Sequence, residues 1–135
     1  GYAIEESISE MDQIANRLRE MVNATINGVK KRVPSVRVNG NMAHRLPGIV
    51  NLGFDGISGG SLMHLLDLKG VYVSTSSACA SGNDKPSHVI LALGLNEQQA
   101  RSAIRISYGK YNTPDEVKTI VAAVCDAYSK IKANQ

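Results

Sequence analysis

Two residues in this chain have types and surroundings that could do chemistry. Cys79 sits in Ser74-Thr75-Ser76-Ser77-Ala78-Cys79-Ala80-Ser81-Gly82-Asn83-Asp84-Lys85, a run of small and polar residues that follows Val71-Tyr72-Val73, a β-branched and aromatic run with the composition of a strand, and ends at Pro86. A free cysteine usually behaves as a small core hydrophobe. This one has no apolar company, which points to a mobile, wet loop where its thiolate can act as a nucleophile. A surface cysteine without a role fits the same context. Arg105 is the second candidate. Ala103-Ile104-Arg105-Ile106-Ser107-Tyr108 alternates, with Ile104 and Ile106 on one face and Arg105 and Ser107 on the other. A strand arginine is either solvated on an open face or a planar fork that binds a carboxylate bidentately. A nucleophilic thiol with a carboxylate-holding arginine fits chemistry on an amino acid without saying which.

Other chemistries fail on spacing. Cys79 and Cys125 are remote, and His44, His64 and His88 form no pair at helical or finger spacing, so no metal site is expected. A cysteine-protease arrangement would need a histidine oriented toward Cys79; His88 is near in sequence, but a helix start separates them. Gly56, Gly59 and Gly60 precede a helix without a Walker lysine or the dinucleotide spacing, so Ser58 or Ser61 as a plain helix cap is the better reading. Gly56-Ile57-Ser58-Gly59 has the spacing of a nucleic-acid-binding GxxG loop but no adjacent lysine or arginine.

The elements that must position Cys79 and Arg105 are legible from periodicity. Ile4, Ile8, Met11, Ile14, Leu18, Met21, Val22 and Ile26 recur in steps of three and four, which predicts one helix face packed on a core, with Asn27-Gly28 as its stop. So long a helix at the start, with no earlier element to pack on, carries the expectation that something upstream has been cut away. Residues 36–39 alternate like a strand and end at the turn signal Asn39-Gly40. Residues 49–54 read as a second strand, and Leu62 to Leu68 as a short apolar helix stopped by Lys69-Gly70. Pro86 to Leu93 reads as a helix opened by its proline and closed by Gly94, with Asn96 capping a further turn through Ala100. Thr113-Pro114-Asp115-Glu116 is a capping box ahead of a helix burying Val117, Ile120, Val121, Val124, Tyr128 and Ile131. Cys125 beside that stripe reads as inert core. The order predicts an α+β fold, a small mixed, partly antiparallel sheet covered by helices.

Composition bounds the class. The 135 residues favour one domain, and hydrophobic residues at 43% with charged residues at 20% are ordinary for a globular chain. There is no tryptophan and one phenylalanine, Phe54, so the core must be aliphatic. The net charge of +3 is mild, and its densest cluster, Lys30-Lys31-Arg32, reads as a solvated connector rather than a nucleic-acid site. No apolar run approaches a membrane span, and no signal peptide opens the chain. Two cysteines in such different contexts make no disulfide framework, so a reducing, cytoplasmic setting is expected.

Against this background the chain resembles the C-terminal, small domain of cysteine desulfurases of the NifS/IscS type, within the class V aminotransferases. The resemblance is carried by Ser74-Thr75-Ser76-Ser77-Ala78-Cys79, Pro86-Ser87-His88-Val89 and Ala92-Leu93-Gly94-Leu95. Asn39-Gly40, Arg45-Leu46-Pro47-Gly48-Ile49-Val50-Asn51, Ser61-Leu62 leading to Leu66-Asp67, Ile104-Arg105-Ile106-Ser107-Tyr108-Gly109 and Thr113-Pro114-Asp115-Glu116 match the same region in order. Essentially the whole chain is covered, and the Cys79–Pro86 interval resembles the long-loop group.

The resemblance implies a reaction on L-cysteine that yields alanine and a persulfide. Cys79 takes the place of the catalytic nucleophile and persulfide carrier, and Arg105 that of the residue holding the substrate carboxylate. A loop of small residues suits a cysteine that must reach a buried site and then swing out to an acceptor. The implied cofactor is pyridoxal phosphate, an electron sink held on a lysine as a Schiff base. The implied partners are a sulfur acceptor such as an iron-sulfur scaffold and a second copy of the full-length chain, with no nucleic acid or membrane. Ser76 stands where the family commonly has glycine, and Tyr108-Gly109-Lys110 where it commonly has Leu-Gly-Arg. The family's cofactor lysine follows a histidine in a larger upstream domain. No His-Lys pair occurs here, so the chain alone is expected to be the sulfur-carrying domain without the cofactor seat, and inactive. A stand-alone persulfide carrier and a selenocysteine lyase-like relative are the alternatives.

Overall fold

The computed structural model describes residues 1–75 and 86–135, apart from the side chains of residues 3, 6 and 7. Helix α1 (Tyr2–Arg32) is followed by strands β1 (Arg37–Asn39) and β2 (Ile49–Gly53), helix α2 (Gly59–Asp67) and strand β3 (Ser74–Thr75). Helices α3 (His88–Ala92) and α4 (Glu97–Arg101), strand β4 (Ala103–Ser107) and helix α5 (Pro114–Ala133) complete the described chain. The strands form one sheet in the order β1-β2-β4-β3, and every pairing is antiparallel. This is the expected α+β fold with a helix-covered sheet, but among the described residues the sheet is antiparallel throughout rather than mixed, because each pair of adjacent strands runs in opposite directions. Among the described residues no helix is long and apolar enough to cross a membrane.

Alternation makes the sheet two-faced. Val38, Val50, Leu52, Ile104 and Ile106 turn toward α1, α2 and α5, where they meet Met21, Val22, Ile26, Val29, Leu62, Leu66 and Val124. The single phenylalanine, Phe54, packs on Tyr128 of α5 with ring centroids 5.8 Å apart. At the end of β4 the Tyr108 hydroxyl lies 2.6 Å from Thr25 Oγ1, which donates to the Met21 carbonyl at 2.8 Å. With the threonine proton committed, Tyr108 is the donor of the pair, and burial pushes its hydroxyl pKa up. This contact ties the strand that carries Arg105 to α1.

Several boundaries differ from the sequence-based expectations, each for a local reason. Helix α1 runs through Gly28 to Arg32, because Gly28 is a crossing point rather than a stop: a Cβ there would lie 2.9 Å from both methyls of Val121. The stripe of α1 is only partly buried. Ile4, Ile8 and Met11 are 65%, 64% and 59% exposed, since the described sheet and α5 cover the helix only from Ile14 onward. Lys30, Lys31 and Arg32 form its last turn, where cations meet the negative end of the helix dipole, instead of a connector. Strand β3 is confined to Ser74–Thr75; Val71 is instead buried below α2. Pro86 lies outside α3, whose N-cap is Ser87.

Other signals act as expected. The Ser58 hydroxyl accepts from Ser61 N and caps α2, and Asn96 with Gln99 forms a capping box on α4. Gly70 and Gly94 adopt φ of 72° and 83° just past α2 and α3, a region costly for any residue with a Cβ.

Candidate functional site

The face of the sheet away from the helices is polar. Antiparallel register puts Asn39 opposite Asn51, Asn51 opposite Arg105, and Arg105 opposite Ser74, a single row across all four strands. Cross-strand partners share a face and lie close enough for side chains to interact. Arg105 is exposed on this open face, while its neighbours Ile104 and Ile106 are buried on the other.

The row is built by hydrogen bonds that begin at its edge. Arg37 Nη1 donates to Asp55 Oδ1 at 2.6 Å, and Arg37 Nε donates to Asn39 Oδ1 at 2.8 Å. Asn39 Nδ2 donates to Asn51 Oδ1 at 2.7 Å. Gly53 makes room for this arrangement, because a Cβ there would lie 2.6 Å from Arg37 Nη2. At the far side Ser74 Oγ donates to the Thr75 carbonyl at 3.0 Å. A face of fixed amides around a guanidinium can hold a carboxylate.

Of the two residues singled out from the sequence, Arg105 is on this face. Cys79 and the expected mobility of its loop lie outside the described residues. His44, His64 and His88 are exposed, and no group of three or more His, Cys, Asp or Glu able to hold a metal occurs among the described residues. Cys125 is 5% exposed; burial pushes its thiol up, partly offset by a hydrogen bond and positive charge from Arg32. Sequence reasoning missed Arg37, Asn39 and Asn51 as members of the site. Their alternation with Val38, Val50 and Leu52 was a usable signal for their face, but not for which strands would adjoin.

A cofactor with an aldehyde and a phosphate would need a lysine amine at this face. Lys69 pairs with Asp126, Lys110 with Glu10 and Lys118 with Asp115, and Lys132 donates to Gln135. Lys30, Lys31 and Lys130 are exposed on α1 and α5. The described residues therefore do not fit a seat for such a group.

A family model described as aminotransferase class-V matches residues 3–120. The chain is 38% identical over 123 residues to the cysteine desulfurase IscS of Clostridium botulinum, an alignment covering 90% of this chain and 31% of that protein. It is 41% identical over 117 residues to the cysteine desulfurase IscS of Dictyoglomus turgidum, covering 87% of this chain and 30% of the relative. Among solved structures it superposes on a NifS-like protein with a TM-score of 0.80 at 27% identity, over 95% of this chain and 32% of that one. The chain thus spans about a third of the length of the curated relatives it matches.

Proposed function

Because this chain belongs to the class-V aminotransferase family, we propose that it is the C-terminal domain of a pyridoxal phosphate-dependent cysteine desulfurase, with Cys79 as sulfur acceptor and Arg105 as the holder of the substrate carboxylate. The observation that carries this reading is the β3–β4 register. Ser74 pairs with Arg105, so the chain that leaves β3 toward Cys79 starts beside the strand bearing the guanidinium. Five residues reach at most about 18 Å, which keeps the thiol on a short tether to that row.

In this reading Arg105 fixes the amino acid by its carboxylate, and the Cys79 thiolate attacks the substrate sulfur. The new S–S bond forms as the C–S bond breaks. The electron pair goes to the substrate carbon, which takes up a proton to become alanine, and Cys79 is left as a persulfide. Thiol exchange then passes the outer sulfur to an acceptor protein such as an iron-sulfur scaffold. The electron sink this chemistry needs belongs to the rest of the complete chain, which acts as a cytoplasmic homodimer.

The test is on the complete chain, supplied with L-cysteine. Alanine and a persulfide on the Cys79 peptide are expected by mass spectrometry, and neither in Cys79→Ser. Arg105→Lys keeps the charge but loses the planar fork, and should weaken cysteine binding by roughly 1–3 kcal/mol. Alanine formation at the wild-type rate in Cys79→Ser would overturn the assignment. Turnover of selenocysteine alone would favour a lyase, and persulfide uptake without alanine a plain carrier.

A further inference from the structure

The direction of every hydrogen bond along the polar row is set from its edge. Arginine has donors only, so the Asn39 amide must turn Oδ1 to Arg37 Nε and Nδ2 to Asn51. Asn51 must answer with its oxygen. Its Nδ2 is left without a partner among the described residues, and its register partner on the other neighbouring strand is Arg105. The relay is anchored by Asp55 through Arg37, and Asn51 is half-buried between the two neighbouring strands. Beyond Arg105 the Ser74 proton is already committed to the Thr75 carbonyl. Among the described residues, the Asn51 Nδ2 and the Arg105 guanidinium have no hydrogen-bond partner of their own, and both are pure donors.

We infer that Asn51 is a second substrate-contacting residue, whose Nδ2 donates to the same carboxylate that Arg105 holds. Arg37 and Asn39 are positioning residues that keep the donor, rather than the amide oxygen, turned toward it. The inference rests on the reading of Arg105 given above. A carboxylate only accepts hydrogen bonds, so donors converging from two strands select it over a neutral or cationic group at that position. A free asparagine could rotate to offer its oxygen; this one cannot without breaking its bond from Asn39.

The test is equilibrium binding to the complete, cofactor-loaded chain of L-alanine, which has the carboxylate, and of ethylamine, which lacks it. Asn51→Leu should weaken L-alanine about tenfold, the loss of one hydrogen bond to a charged group, and leave ethylamine unchanged. Unchanged ethylamine binding also certifies that the variant is folded. Asn51→Asp, which keeps the shape but turns the donor into an acceptor, should weaken L-alanine further and serves if the leucine variant does not fold. Asn39→Leu, remote from the ligand, should reproduce part of the loss in KM for L-cysteine with little change in kcat. If Arg105→Ala weakens L-alanine and both Asn51 variants do not, this inference alone is overturned. If Arg105→Ala also leaves L-alanine unaffected, the carboxylate site itself is wrong and both readings fall.

Discussion

Cys125 sits on the inner side of α5, and its environment decides its reactivity. Only the thiolate is nucleophilic, and burial raises the pKa that must be crossed to form it. A thiol-alkylating reagent at neutral pH should therefore label Cys79 much faster than Cys125, as read by peptide mapping over time. Labelling of Cys125 should accelerate about tenfold per pH unit while pH stays below its raised pKa. Cys125 labelled first would reverse the assignment of the two thiols. The helical stripe around Cys125 made its burial legible in the sequence. The neighbours of Arg105 were not legible, because Asn51 meets Arg105 only through a strand pairing that bridges distant parts of the chain.

Packing between elements turns on two features of the long helices. Gly28 lets α1 approach α5 until only hydrogens separate it from Val121. Gly28→Ala would gain about 1 kcal/mol of helix propensity but overpack a stiff β-branched neighbour at about 1–3 kcal/mol. A net loss of about 1 kcal/mol is expected in denaturant titration, recovered in part when Val121→Ala is added. At the start of α5 the Thr113 backbone N–H donates to Glu116 Oε2 at 2.8 Å and Asn112 Nδ2 donates at 3.0 Å. These bonds hold the Glu116 carboxyl below its ordinary pKa. A depressed folded pKa contributes stability above the unfolded value and loses it as pH falls through the folded one. Glu116→Gln should therefore melt below the wild type at neutral pH, and the gap in Tm should narrow below about pH 4. A gap that stays constant with pH would leave the cap with no electrostatic part.

At the level of the whole molecule, the described residues contain a core in which α1, α2 and α5 cover one face of the sheet, while the opposite face carries the polar row. The chain as given should fold cooperatively on that core. Titration with pyridoxal phosphate should give no stoichiometric absorbance band, and sulfide release from L-cysteine should stay at background, because no described lysine is among the residues that form the row. Given a persulfide donor, Cys79 should still take up sulfur by thiol exchange. A stoichiometric band with Cys79-dependent turnover would show a complete cofactor seat within these 135 residues.

What the sequence determined by itself is what interactions over a few residues decide. The alternation of residues 103–107, the caps at Ser58 and Asn96, the Glu116 cap of α5 and the glycines ending α2 and α3 all follow from contacts within a turn or two. The tertiary structure decided what depends on partners far along the chain. The strand order β1-β2-β4-β3 aligns Asn39, Asn51, Arg105 and Ser74, and no local pattern encodes a register between residues so widely separated. The same reason separates Gly28 the apparent stop from Gly28 the crossing point. It also explains α1, whose periodicity marks one apolar face from Ile4 to Ile26 but cannot say which part of it another element will cover.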